Sequence, residues 1–338
     1  MNAKIALFSE LSKFLDDKTS VCSDFLSLLN RFQLGRSLSK LKMEKEKGAK
    51  SIELLQYLLI FRLCGQSIHQ SLQRRFGTMI EGGKNQFYRF LTRPRMDWRR
   101  LLYATAKSYF RIVREESVEP VEDVCFILDD STVGKTGICM EGISRVYDHV
   151  SQKHVLGYKL LMLAVTDNKG IVPLDFSLHA EAGQKKNFGL TRKQLASRFS
   201  KHRDSKDCAG KRLAELLMEK PRTAVEMIRR AVKNGFRAKY LLADKWFFGK
   251  EFIRSIRNIA GGSIHIVTLL RNKDTCFTVD GQNRSAKVLT SMAERKGKFR
   301  TCRQYKSKYA RIRAVYNGIP VQLFIIRYGK SSKYEVMI

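Results

Sequence analysis

Two short apolar runs, each closed by aspartate, constrain this chain more than any other feature. Residues 124–128 (VCFIL) end in Asp129-Asp130, and residues 240–243 (YLLA) end in Asp244. Runs that short, without polar alternation, read as strands buried on both faces of a sheet, with acids at their tips. Residues 154–166 and 171–179 flank Asp167-Asn168-Lys169-Gly170, the pattern of a hairpin. A charged amphipathic helical stretch over 206–234, interrupted at Pro221, precedes the second run. A helix over about 249–258 and a strand through 264–270 follow it. Strand, hairpin, helix and strand in this order predict an α/β layout with a mixed sheet.

The flanks have different characters. Up to about Ser117 the chain reads as helical: 51–64 ends at Gly65, a more polar helix covers 66–76, and a short one at 85–92 stops before Pro94. Residues 98–116 carry Trp98, Leu101, Leu102, Tyr109, Ile112 and Val113 on one face, with Arg99, Arg100, Lys107, Arg111 and Arg114 outside. Arg74, Arg75, Arg89, Arg93 and Arg95 suit a DNA-facing surface and suit equally the incidental charges of a packed cap. The pattern changes at Glu119-Pro120 and again near Asn272. Beyond that point 277–278, 298–305, 309–315 and 321–328 read as strands. The expected organisation is a helical DNA-binding domain over 1–117, the first part of a core over 118–272, and a β-rich basic segment over 273–338.

Charge narrows the partners. Lys and Arg number 64 against 32 acids, a formal +32, and a chain that basic repels itself unless a polyanion neutralises it. Nucleic acid is the commonest such partner, although charge alone does not separate DNA from RNA. From Arg284 to Arg313 there are eleven Lys or Arg and one acid, Glu294. The pairs Lys298/Arg300, Lys306/Lys308 and Arg311/Arg313 repeat at spacing two, so each pair is expected on one strand face, gripping phosphates. Seven scattered cysteines without a C-x-x-C argue against a zinc knuckle or a disulfide framework and for reduced thiols in a cytoplasm. The first residues turn polar too soon for a signal peptide. The longest apolar stretch, near 54–63, is broken by Gln56 and Arg62 and is too short for a bilayer. No phosphate-binding G-x-x-x-x-G-K-[ST] loop occurs. The six histidines lack metal-ligand spacing, and His149 and His179 read as structural.

Asp130 and Asp244 are the candidate chemistry. Carboxylates held at adjacent strand ends suit hard cations such as Mg²⁺, and two such ions can drive phosphodiester transfer. An Asp closing a strand is also a common turn or helix-capping residue. Trp246-Phe247-Phe248, just beyond Asp244, reads as packing at a helix start, with stacking on DNA as the rival reading.

Several motifs together resemble one family. Leu128-Asp129-Asp130-Ser131-Thr132 with Lys135-Thr136-Gly137 resembles the first-Asp motif of bacterial DDE transposases of the insertion-sequence-four type. Residues 141–149 (EGISRVYDH), 155–160 (VLGYKL) and 173–179 (PLDFSLH) continue the match. Leu242-Ala243-Asp244-Lys245-Trp246-Phe247 is similar to the second-Asp motif. The resemblance implies an RNase-H-like core with a β-rich insertion, and Mg²⁺ or Mn²⁺ as cofactor. It puts the metal-binding Asp directly before the small hydroxyl residue, at Asp130, with a one-residue ambiguity toward Asp129. It further implies double-stranded DNA with transposon terminal repeats as partner, a homodimer on DNA, and a bacterial, nucleoid-associated protein.

One family feature is missing. The resemblance implies a catalytic Glu within a Y-x-x-R-x-x-x-E-x-x-x-x-x-x-K pattern after the insertion, and that spacing does not occur. Glu335 reads as part of the insertion's return strand and Glu181 as a weak substitute. The expectation is therefore a transposase truncated before its third carboxylate, with little or no activity. The alternatives are a non-catalytic DNA-binding inhibitor and a two-metal nuclease of the same fold.

Overall fold

The computed structural model describes residues 27–73, 83–115, 124–167, 170–329, 331 and 333–338. Arg74, Arg75, the Glu119-Pro120 boundary and the turn residues Asn168 and Lys169 lie outside that set. The chain forms two compact units, Met1–Pro120 with Phe199–Glu215, and Val121–Arg198 with Leu216–Ile338.

The first unit is helical: α1 (Leu34–Lys40), α2 (Ser51–Leu63), α3 (Ile68–Ser71), α4 (Asn85–Thr92), α5 (Trp98–Glu115) and, from the later segment, α7 (Cys208–Ala214). Leu38, Met43, Leu54, Phe61, Phe87, Phe90 and Met96 make its core, with the Phe61 and Phe87 rings 5.5 Å apart. α1 falls within the stretch read as helical, although its bounds were not drawn from the sequence. Arg99, expected on the outside of α5, is buried, because its guanidinium grips Glu215 with both terminal nitrogens, Nη1 at 3.0 Å from Oε1. The expected core stretch 118–272 thus supplies Phe199–Glu215 to the helical unit.

The second unit contains the expected mixed sheet. Its strands are β1 (Cys125–Gly134), β2 (Ser144–Asp148), β3 (Lys153–Thr166), β4 (Ile171–His179), β5 (Tyr240–Ala243) and β6 (His265–Val267), with α6 (Arg192–Ser197), α8 (Lys220–Lys233) and α9 (Lys250–Arg257). The order is β2-β3-β1-β5-β6, with β4 also on β3. β3 runs antiparallel to β1, β2 and β4, whereas β5 and β6 run parallel to β1. Parallel neighbours require a crossover, and α8 lies on that path, burying Ala224, Val225, Met227, Ile228 and Ala231. Pro221 stands in the first turn of α8, where its fixed φ and missing N–H are tolerated. It opens a second helix, and so does not interrupt one long helix as the sequence suggested. This is an α/β unit with a mixed sheet in which β1 lies beside β5; Asp244 follows the end of β5, whereas Asp129 and Asp130, expected at a strand tip, lie within β1, which continues to Gly134.

A second sheet follows: β7 (Cys276–Val279), β8 (Gln282–Ser285), β9 (Arg300–Cys302), β10 (Ser307–Tyr316), β11 (Ile319–Tyr328) and β12 (Glu335–Met337), in the order β12-β11-β10-β7-β8 with β9 on β10. The segment is not wholly β. α10 (Ala286–Arg295) stands between β8 and β9, its N-terminus capped by the Ser285 hydroxyl accepting from the Val288 N–H at 3.3 Å. Ala286, Leu289 and Ala293 are its buried stripe, a helical spacing present in the sequence to which no element was assigned. The expected strand over 298–305 shrinks to β9. Lys298 precedes that strand, and Lys306 sits in the hairpin to β10 at φ 44°.

Candidate active site and nucleic-acid face

Parallel pairing of β1 and β5 fixes the acids. Phe126 is opposite Leu241, Ile127 opposite Leu242 and Leu128 opposite Ala243. The buried pair Phe126 and Leu241 shares the face that Leu128 also takes, so the half-exposed Ile127 and Leu242 take the other. β5 stops at Ala243 while β1 continues to Gly134. Beyond Leu128, β1 therefore has no β5 partner, and that flank is open.

The two neighbouring acids of β1 separate by strand alternation. Asp129 lies with Asp244 in one cleft of about 440 Å³, walled by Ile127, Leu242, Val267, Leu269 and Met337. Asp130, on the same face as Phe126 and Leu128, is absent from that cleft's lining. Its Oδ2 instead meets the Lys220 ammonium at 2.5 Å, at the start of α8. The expected partnership of Asp130 with Asp244 is not what the cleft brings together; side chains one residue apart on a strand point to opposite faces. Asp244 also caps a short 3₁₀ turn, Lys245–Phe247, its Oδ1 accepting from the Lys245 N–H at 2.7 Å. The capping role and the cleft position coexist.

The motif residues around Asp130 have local physical reasons. Gly157 lies opposite Gly134, and a Cβ there would stand 2.2 Å from the Val133 carbonyl oxygen. Only glycine allows that approach. The Tyr158 hydroxyl donates to the Glu141 carbonyl at 2.6 Å, and burial with nearby Glu141 pushes its pKa up to about 12. Lys159, buried, donates to Thr132 Oγ1 at 3.0 Å. Sequence reasoning passed over Lys159 and Lys220, although a lysine placed in the first turn of a helix, against the helix dipole, is a visible signal of a nearby anion.

The weaker acids fall elsewhere. Both Glu181 carboxylate oxygens accept from the Tyr147 N–H, at 3.2 and 3.3 Å. Glu335 lies on β12, opposite Ile326 of β11. His179, buried, has Nδ1 3.1 Å from the Met218 carbonyl oxygen. Among the described residues no group of three or more His, Cys, Asp or Glu could hold a metal ion. The donor chemistry still fits a hard divalent ion: the carboxylates of Asp129 and Asp244 line one cleft, and neighbouring Asp130 already accepts a cation, the Lys220 ammonium.

The basic residues sort themselves by register. Arg300 is opposite Tyr309, and Arg313 is opposite Gln322. Lys298, Arg300, Tyr309, Arg311, Arg313 and Gln322 line one cleft of about 520 Å³. Lys306 and Lys308 are not part of it. Lys306 is in the hairpin, where alternation is interrupted, and Lys308 alternates away from Tyr309. Four of the six expected DNA contacts are thus gathered with an aromatic ring. No described helix is long and apolar enough to cross a membrane.

With this geometry in place, comparison with known proteins gives three results. The family model described as DDE superfamily endonuclease matches residues 43–311. No curated protein matches. Among solved structures, a chain of the Drosophila P element transposase strand transfer complex matches at 10% identity and a TM-score of 0.29, covering 78% of this chain and 55% of that one. This chain therefore spans little more than half the length of that transposase chain.

Proposed function

This chain belongs to the DDE superfamily of endonucleases, and on that footing we propose that it is a transposase of the insertion-sequence-four type acting on double-stranded DNA. Asp130 and Asp244 hold divalent metal, Mg²⁺ or Mn²⁺, at the scissile phosphodiester. When bound, such ions activate a water or 3′-hydroxyl and stabilise the leaving oxygen. The chain's own part is to fix the carboxylates, Asp130 within β1 and Asp244 just past the end of β5. Its basic cleft of Lys298, Arg300, Arg311 and Arg313 contacts phosphates of the terminal repeats, which positions the duplex without reading sequence. A homodimer on DNA in a bacterial nucleoid completes this reading.

The observation that carries it is the parallel pairing of β1 with β5, which sets Asp244, just past the end of β5, beside the stretch of β1 that bears Asp129 and Asp130, within a family match over most of the chain. A second reading has its own observation: Asp129, not Asp130, shares the open cleft with Asp244. In that reading Asp129 is the ligand and the Lys220–Asp130 pair braces the strand. The experiment is cleavage of supercoiled plasmid carrying the terminal repeats, with Mg²⁺ or Mn²⁺, by the wild type and by Asp129→Asn, Asp130→Asn and Asp244→Asn. Activity lost in Asp130→Asn and Asp244→Asn but kept in Asp129→Asn supports the first reading. The reverse pattern at 129 and 130 supports the second. A wild type that binds the repeats yet cuts nothing supports a DNA-binding protein without catalysis.

A further inference from the structure

We infer that Trp246 and Arg271 form a stacking platform for an unpaired or terminal nucleobase beside the cleft of Asp244, an inference that rests on the DNA-cleaving reading. In Trp246-Phe247-Phe248, packing at the turn falls to the two phenylalanines. Phe247 is buried, its ring 5.6 Å from Phe252, and the Phe248 ring is 5.1 Å from Tyr316. Trp246 is left 52% exposed. The expected packing role does not extend to it.

Its surroundings give the exposed indole a purpose. Trp246 lies two residues beyond Asp244, and Arg271 lies two residues beyond Leu269; Asp244 and Leu269 both line the carboxylate cleft. The Arg271 guanidinium carbon stands 5.0 Å from the centre of the indole ring. A guanidinium over an indole is a favourable cation–π contact, and it holds the ring in one orientation while adding positive charge. Every base has a π-face, so such a ring accepts bases with little sequence preference. Inside a duplex those faces are covered by neighbouring bases. They are open at a strand end or in an unpaired stretch, and strand cleavage at the adjacent carboxylates creates such an end. The ligand class is therefore the exposed base of a DNA strand terminus, with its phosphate toward Arg271.

The test uses the chain's own fluorescence. It has two tryptophans, Trp98 and Trp246, and Trp98 lies in the helical unit with its ring edge-on to Phe90 at 5.6 Å. Full-length protein is titrated with short oligothymidylate and with a dumbbell duplex that has no free ends, following tryptophan emission and, in parallel, the anisotropy of labelled DNA. The expected result is emission quenched by the single strand in step with binding and not by the dumbbell. Trp246→Phe should lose the quenching but keep most of the affinity. Trp246→Ala should bind the single strand about tenfold more weakly, the scale of one base–aromatic stack, with dumbbell affinity unchanged. Binding of oligothymidylate without quenching in the wild type, or equal losses on both DNAs in Trp246→Ala, overturns the platform alone. Binding to neither DNA overturns the DNA-cleaving reading with it.

Discussion

Lys220 Nζ lies 2.5 Å from Asp130 Oδ2 across ninety residues of sequence, with the two side chains 23% and 24% exposed. A divalent ion seeking Asp130 must displace that ammonium. Lys220→Met should therefore tighten Mn²⁺ binding several-fold, since a part-buried pair of this kind is worth about 1 kcal/mol after screening. Calorimetric titration of the protein with Mn²⁺ checks it. Unchanged affinity would mean that Asp130 is not a ligand and would favour Asp129.

The basic cleft makes a directional forecast. Reversing Arg300, Arg311 and Arg313 to Glu together should weaken binding to all duplex sequences alike and flatten the salt dependence, because fewer counterions are released. Reversing Lys306 and Lys308, which lie outside the cleft, should do much less. Anisotropy titrations over a salt series separate the two, and equal losses would show that the cleft is not the grip.

Glu215 tests the helical unit. Its buried contact with Arg99 pairs the two charges, and removing one partner of a buried pair typically costs about 3–5 kcal/mol because a buried charge loses its counter-ion. Glu215→Ala should lower the denaturation midpoint markedly, whereas replacing both residues with Met should restore most of it. A single variant as stable as the wild type would contradict the burial.

Gly157 should tolerate no side chain. Even Ala would press its Cβ onto the Val133 carbonyl, so Gly157→Ala should push β3 off β1 and cost a few kcal/mol, the scale of a severe packing defect. Thermal unfolding reads this directly.

Tyr158 gives a pH window. Its pKa of about 12, raised by burial and then by Glu141, exceeds the ordinary 10.0. The folded state prefers the neutral phenol, so its contribution is full below pH 10 and is lost as pH rises toward 12. Tyr158→Phe should remove that part of the alkaline decline in stability. It should also remove a step near pH 12 from the tyrosinate absorbance curve.

The sequence by itself determined the two apolar strands, the acids that follow those runs, the helical flank and the basic excess. Each is a local pattern: VCFIL and YLLA carry no polar alternation, so both read as strands, although Leu242 is left exposed and Asp129 and Asp130 lie within central β1. Where a local pattern was present but overlooked, as with Ser285 and the Ala286, Leu289 and Ala293 stripe, the β-like neighbours on either side hid it. The tertiary structure alone decided which acids meet. Asp129 and Asp130 are adjacent in the chain, and which of them faces Asp244 depends on the register of β1 against β5, a pairing across more than a hundred residues. The same holds for Lys220 on Asp130, for Arg99 on Glu215, and for the division of six basic residues into four within one cleft and two outside it. Strand pairing, helix packing and hairpin geometry set those contacts, and none of these is encoded in spacing along the chain.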